Sequence, residues 1–207
     1  STTDIDLSDA NYKFIGENSD DASGYSVSGL GDVNGDGFDD LLIGAYGEDS
    51  GGNTAGSTYL FLSPEICNVN CFEGWSTTTV NNEDANYKFL GENYLDQAGY
   101  TVGHAGDIDG DGLNDILIGA WVEDSAGTDA GAVYLVFSSS LGSTMDIDLS
   151  NADYKFIGES SSDISGSSVS GAGDVDGDGL DDVLIGAKYE DSGGSNAGAT
   201  YLILGDT

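Results

Sequence analysis

The chain contains one unit three times, and this repetition constrains its fold more than any other feature. Ala10-Asn11-Tyr12-Lys13-Phe14-Ile15-Gly16 returns as Ala85 to Gly91 and again as Ala152 to Gly158. Asp32, Asp107 and Asp174 open three similar acidic loops, and Tyr59, Tyr134 and Tyr201 each precede a Leu near the end of a unit. Every landmark is offset by 75 and then 67 residues, so the units carry no internal insertions and length varies only in the connectors. The units are therefore the structural modules, and the connectors are expected to be tolerant surface segments.

Each unit reads as four short strands separated by Gly/Asp/Ser turns. In the first unit these are Asn11 to Ile15, Tyr25 to Gly29, Leu41 to Ala45 and Ser57 to Leu62, with a Gly-rich turn at Ser50 to Asn53. The third is mostly apolar and expected to be buried on both faces. No segment sustains a helical period. The sequence predicts an all-β fold of three four-stranded antiparallel propeller-type blades. Residues 1–63 form the first repeat with an N-terminal outer strand, 64–84 a connector, 85–138 the second repeat, 139–151 a connector and 152–207 the third repeat.

Composition narrows the function classes. Thirty-eight Asp and Glu face only four basic residues, all Lys, for a formal charge of −34. A nucleic-acid binder or a ligand for anionic membranes needs clustered Lys and Arg, so neither is expected. No apolar run is long enough for a membrane-spanning helix. Eleven Tyr and seven Phe argue against disorder despite the charge. Thirty-three Gly and a single Pro suit many tight turns.

The acidic loops carry the chemistry. Asp32-Val33-Asn34-Gly35-Asp36-Gly37-Phe38-Asp39-Asp40 has oxygen side chains at positions 1, 3, 5 and 9 and Gly at 6. Asp107, Asp109, Asp111, Leu113 and Asp115 repeat the pattern, as do Asp174, Asp176, Asp178, Leu180 and Asp182. Alternate spacing in a tight loop turns its carboxylates towards one centre. The Gly permits the turn, position 7 (Phe38, Leu113 or Leu180) offers a backbone carbonyl, and Asp40, Asp115 or Asp182 closes the shell. Hard, all-oxygen coordination of this number suits calcium, giving three expected Ca2+ sites. Without a cation, so many clustered carboxylates would repel one another. The loop is not an EF-hand, because position 12 is Ile43, Ile118 or Ile185 where that motif needs a bidentate Glu.

The stretch Gly24 to Gly37, followed by Asp39-Asp40-Leu41-Leu42-Ile43-Gly44-Ala45, resembles the FG-GAP repeat of integrin alpha-chain propeller heads and bacterial surface proteins. The likeness continues through Gly99 to Ala120 and Gly166 to Ala187. This sequence departs from the family pattern in having Ser23, Ala98 or Ser165 where the family has Phe. It also has Tyr46, Trp121 or Lys188 where the family has Pro. The resemblance implies calcium in the hairpin between a blade's innermost strands and an extracellular or cell-surface setting in adhesion or scaffolding. It also implies that the Asn11-to-Ile15-type strand is the outer strand of the preceding blade. The chain would then begin with an outer strand and end in a blade that lacks one. The leader Asp4-Ile5-Asp6-Leu7-Ser8, repeated as Asp146 to Ser150, fits that cut. Because such edges are complementary, self-association head to tail into a ring or fibre is expected.

Other candidates read as structural. His104 has no nearby Ser or Cys nucleophile. The pairs Glu48-Asp49, Glu123-Asp124 and Glu190-Asp191 recur at one unit position before a turn, which suits a solvated turn or a second cation site better than glycosidase acids. Cys67 and Cys71, in the first connector, suit a local disulfide and an oxidising compartment. Lys13, Lys88 and Lys155 occupy one position per unit and are expected to pair with carboxylates. Trp75 and Trp121 suit packing, or a sugar platform. The leading functional expectation is a non-catalytic, calcium-stabilised extracellular structural or adhesion protein. A carbohydrate- or protein-recognition module is the alternative.

Overall fold

A computed structural model describes residues 6–63 and 78–205. It contains fourteen strands: β1 (Tyr12–Ile15), β2 (Ser26–Gly31), β3 (Asp40–Ala45), β4 (Ser57–Phe61), β5 (Thr78–Asn81), β6 (Tyr87–Leu90), β7 (Ala98–Gly106), β8 (Asp115–Ala120), β9 (Ala132–Val136), β10 (Asp146–Asp148), β11 (Tyr154–Ile157), β12 (Ser165–Gly173), β13 (Asp182–Ala187) and β14 (Ala199–Ile203). The fold is all-β, and short 3-10 turns are the only helical elements among the described residues.

Three propeller-like sheets stand in a row, and they are unequal. Blade one runs β10-β6-β4-β3-β2, blade two β11-β9-β8-β7 and blade three β12-β13-β14, while β1 and β5 form a separate pair. The expected four strands per blade therefore hold only for the second. Blade one gains a fifth strand because Asp146–Asp148 runs parallel to Tyr87–Leu90 and covers an edge that would otherwise expose unpaired N–H and C=O groups. β5 covers β1 in the same parallel manner. The 139–151 connector is thus partly structural, and its Leu149 is buried in the core.

The strand that follows β4 in blade one and β9 in blade two comes from the following unit. β6 pairs antiparallel with β4, and β11 with β9, in matching register: Lys88 lies opposite Tyr59 and Lys155 opposite Tyr134. The apolar middle strands β3 and β8 are almost entirely buried, as their composition predicts. Period-two alternation then sends neighbouring residues into different interfaces. Leu42 packs with Ile116 and Ile118 between blades one and two, and Leu117 packs with Val183 and Ile185 between blades two and three. Phe14 of β1 and Val80 of β5 cover Ile43, Tyr59 and Phe61 on the far side of blade one. Gly44 permits one close approach, since a Cβ there would sit 2.1 Å from the Gly99 carbonyl oxygen of the next blade.

Candidate metal loops and lysine pockets

Each acidic loop connects the two innermost strands of its blade, as in β2 to β3. The loops are wound by their own aspartates. Asp32 Oδ1 accepts hydrogen bonds from the Asn34, Gly35 and Asp36 N–H groups, and Oδ2 accepts from Gly37 at 2.8 Å. Those backbone donors, the Gly37 N–H foremost, hold the Asp32 carboxyl below its usual range. Asp174 accepts from Gly177 and Gly179 in the same way.

The structure brings positions 1, 3 and 9 together. One oxygen each from Asp107, Asp109 and Asp115 lie within 4.8 Å of one another, and Asp174, Asp176 and Asp182 repeat the grouping. The first loop has Asn34 at position 3, so it offers an amide oxygen where the others offer a carboxylate. Position 5 stands outside these groups: Asp36, Asp111 and Asp178 each accept from the N–H of position 7, at 2.9, 2.8 and 2.9 Å. Phe38, Leu113 and Leu180 sit at position 7. The Asp107 Oδ1 atom is buried and has no hydrogen-bond partner among the described residues. A buried acceptor lacking a donor, inside a three-carboxylate group, fits a hard divalent cation and fits an all-protein network poorly.

Position 9 has a second task that spacing alone does not reveal. Asp40 is fully buried and accepts from Val33 N–H at 3.0 Å and from Ser63 N–H at 2.8 Å. Asp115 accepts from Ile108 and Ser138, and Asp182 from Val175 and Gly205. This aspartate therefore ties the loop to the chain leaving β4, β9 or β14. Burial pushes the Asp115 carboxyl up to about 6 and raises Asp40 also. Position 8 links one loop to the previous one. Asn114 Nδ2 donates to the Leu30 carbonyl at 2.7 Å, and Asp181 accepts from Asp107 N–H at 2.9 Å.

At the other end of the blades, the recurrent Glu-Asp pairs divide their work. Asp49, Asp124 and Asp191 cap turns, accepting from the N–H groups of Thr54, Asp129 and Asn196. Glu48, Glu123 and Glu190 are buried, which corrects the expectation of a wholly solvated turn. Lys88 Nζ lies 3.1 Å from both Glu17 and Glu48 and 5.2 Å from the centre of the Tyr59 ring. Lys155 contacts Glu92 and, at 2.9 Å, Glu123, and stands 5.4 Å from the centre of the Tyr134 ring. The carboxylate group Glu92, Asp96 and Glu123 thus surrounds an ammonium group. Burial works against the charge on both lysines, but the hydrogen bonds they donate to the glutamates, with the carboxylates' charge, outweigh it and raise them. Burial also drives Glu48 upward, yet bonds from Ser50, Ser57 and Lys88 overcome it and hold the carboxyl below its usual range.

His104 is exposed on β7 and pairs across the ladder with Ile116. Trp121 stacks on Tyr100 at 4.5 Å, within an aromatic group that includes Tyr25 and Tyr46. Cys67, Cys71 and Trp75 lie outside the described residues.

A family model for the FG-GAP repeat matches residues 23–61, 98–136 and 165–203, covering every loop described above. Integrin alpha-5 of Xenopus laevis is 30% identical over 182 residues, spanning 85% of this chain and 16% of the integrin. Integrin alpha-4 of the same species is 32% identical over 162 residues, 78% of this chain and 14% of that protein. The chain therefore spans only a small part of the curated relatives it matches. With three matched repeats, each holding its acidic loop in the same hairpin, the chain belongs to the FG-GAP repeat family.

Proposed function

We propose that the chain is a non-catalytic, calcium-stabilised structural and adhesion module working outside the cell or at its surface. Three Ca2+ ions are held, one by each loop. Their ligands are Asp32, Asn34, Asp36, the Phe38 carbonyl and Asp40; Asp107, Asp109, Asp111, the Leu113 carbonyl and Asp115; and Asp174, Asp176, Asp178, the Leu180 carbonyl and Asp182. The observation that carries this reading is the buried, donor-less Asp107 Oδ1 within its carboxylate group. Bound calcium neutralises that group and, through the position-9 aspartate, locks the inner hairpin to the end of the next strand. Because the ion binds the folded loop and not the unfolded chain, its binding energy becomes folding energy. Isothermal titration of chelator-treated protein tests this. Three calcium equivalents are expected, with the Asn34 loop the weakest because it carries one charge fewer. Failure to bind calcium overturns the reading.

Association with further copies completes the proposal. In this reading copies join head to tail by strand complementation into a ring or fibre. The integrin alpha relatives support an extracellular adhesive setting. A second reading, recognition of a glycan or protein ligand, is favoured by the aromatic group across the blades. Tyr25 is half exposed there, and Lys188 stands 5.1 Å from the centre of the Trp121 ring and 4.8 Å from that of Tyr189. Saturable glycan binding that is lost in Trp121→Ala, by a discrete monomer, would favour that reading over assembly.

A further inference from the structure

Asn34 is the only asparagine of the chain that is followed by glycine. In such a pair the backbone nitrogen of the second residue can attack the side-chain amide of the first, and glycine puts no Cβ in its way. The folded loop keeps this approach open. Asn34 and Gly35 are both exposed to water. Gly35 has φ +77°, and the Cβ that it lacks would meet nothing nearer than Leu113 Cδ2, at 3.6 Å.

The hydrogen bonds of the loop arrange the reacting groups. Asn34 Oδ1 accepts from Asp36 N–H at 2.9 Å, which folds the side-chain amide towards the intervening Gly35 nitrogen. The same N–H stands where it stabilises the negative charge that develops on Oδ1 during attack. Gly35 N–H donates to Asp32 Oδ1 at 2.7 Å, and sharing its proton with a carboxylate makes the nitrogen richer in electrons. Asn34 Nδ2, the leaving group, is held by Asp36 Oδ2 at 3.1 Å.

Loops two and three show that the product fits. Asp109 and Asp176 hold position 3 there, and each accepts from the N–H of position 5, at 3.1 and 3.2 Å, as Asn34 does. An aspartate at position 34 therefore needs no new backbone. It does lose the Nδ2 bond and sets a carboxylate against that of Asp36, which makes the loop more dependent on a cation.

We propose that Asn34-Gly35 is a self-modification site, which cyclises and loses ammonia when the first loop holds no cation. The Gly35 nitrogen bonds to Asn34 Cγ and gives up its proton to solvent. The Cγ–Nδ2 bond breaks, and Nδ2 leaves as ammonia with a proton from water. Water then opens the cyclic imide. Opening at Cγ gives aspartate, and with it a third loop of the charge pattern that loops two and three already have. Opening at the backbone carbonyl gives isoaspartate, whose main chain runs through the former side chain and destroys the ligand spacing. With Oδ1 committed to a cation, Cγ is not free to close onto the Gly35 nitrogen. This protection rests on the calcium reading above, whereas the reaction itself does not.

The test is mass spectrometry of the full chain held in mildly alkaline buffer, with chelator or with millimolar calcium, beside a linear peptide of residues 30–41. Ammonia loss is expected at Asn34 ahead of every other asparagine. In chelator it should be at least as fast as in the peptide, and in calcium slower by about tenfold or more. Gly35→Ala should slow it by about tenfold, with circular dichroism checking that the variant folds. Equal loss from other asparagines overturns the site, as does loss at Asn34 about tenfold slower in the chelated chain than in the peptide. Equal loss at Asn34 with and without calcium overturns the protection, and isothermal titration of the same samples separates the causes. If calcium binds, the protection alone fails; if it does not, the calcium reading fails and the site stands.

Discussion

Blades two and three have nearly the same inner sequence and differ in what lies on their outer edge. In blade two, Tyr154–Ile157 closes the sheet, Lys155 fills the acidic pocket and every residue of β9 is buried. In blade three no strand among the described residues pairs with the outer side of β14, no lysine bonds Glu190, and Leu202 is 44% exposed. The inner hairpin and its aspartate loop are nonetheless formed alike in both. The acidic loop therefore forms without an outer strand on its blade, held by its hairpin, the chain leaving the third strand and the neighbouring loop. Burial of the third strand depends on the next blade, since Val133 and Leu135 of β9 pack with Val183 and Ile185 of β13, and the charge balance of the pocket depends on the lysine of the outer strand.

The largest expected effect removes what the blades share. With chelator in place of calcium, each of three loops loses linkage energy of about 3–4 kcal/mol at ordinary excess of ion over dissociation constant. For a chain of this size, that lowers the thermal midpoint by more than about 15 °C, measurable by circular dichroism. An unchanged midpoint would mean that the loops do not depend on a cation. Next in size is the contrast between two leucines at one repeat position. Leu117→Ala empties a fully buried site and should cost about 3 kcal/mol, whereas Leu184→Ala, 37% exposed, should cost less than about 1. Equal losses in urea titrations would mean that blade three is as well covered as blade two.

The lysines sharpen the same contrast. Lys155→Met leaves buried Glu123 facing Glu92 without a cation and should destabilise the monomer by about 2–4 kcal/mol. Lys13→Met should change it by less than about 0.5 kcal/mol, because Lys13 has no acidic partner among the described residues. The smallest effect is a pH dependence. Burial, its chief cause, pushes Asp96 up to about 6, with Glu123 adding to the shift. Its charged form is penalised in the folded state above that pH, and the penalty is relieved as pH falls from about 6 towards the unfolded value near 4. Calcium-free protein should therefore gain stability between pH 7.5 and 5. Asp96→Asn should remove about 1 kcal/mol of that gain after allowance for solvent screening. An identical pH profile in the variant would show that Asp96 is not the group responsible.

The carboxylate groups were legible because their spacing is a local property: Asp107, Asp109 and Asp115 converge within eight residues of one another in sequence. The second bond of Asp115, to Ser138, was not, because it joins residues far apart in the chain. Glu48 looked like a solvated turn residue for the same reason, since the lysine that neutralises it lies 40 residues away. Asp146–Asp148 gave no strand signal, as three residues with one apolar position cannot show alternation. Its pairing is imposed by the edge it covers. The outer-strand offset was readable only through the family resemblance, and it is the feature that separates blade three from blade two.

The central claim is that the three acidic loops are cation sites on which the fold depends. Isothermal titration of calcium into chelator-treated protein tests it most directly. Binding of three equivalents is expected, the Asn34 loop being the weakest. Absence of saturable binding would contradict it.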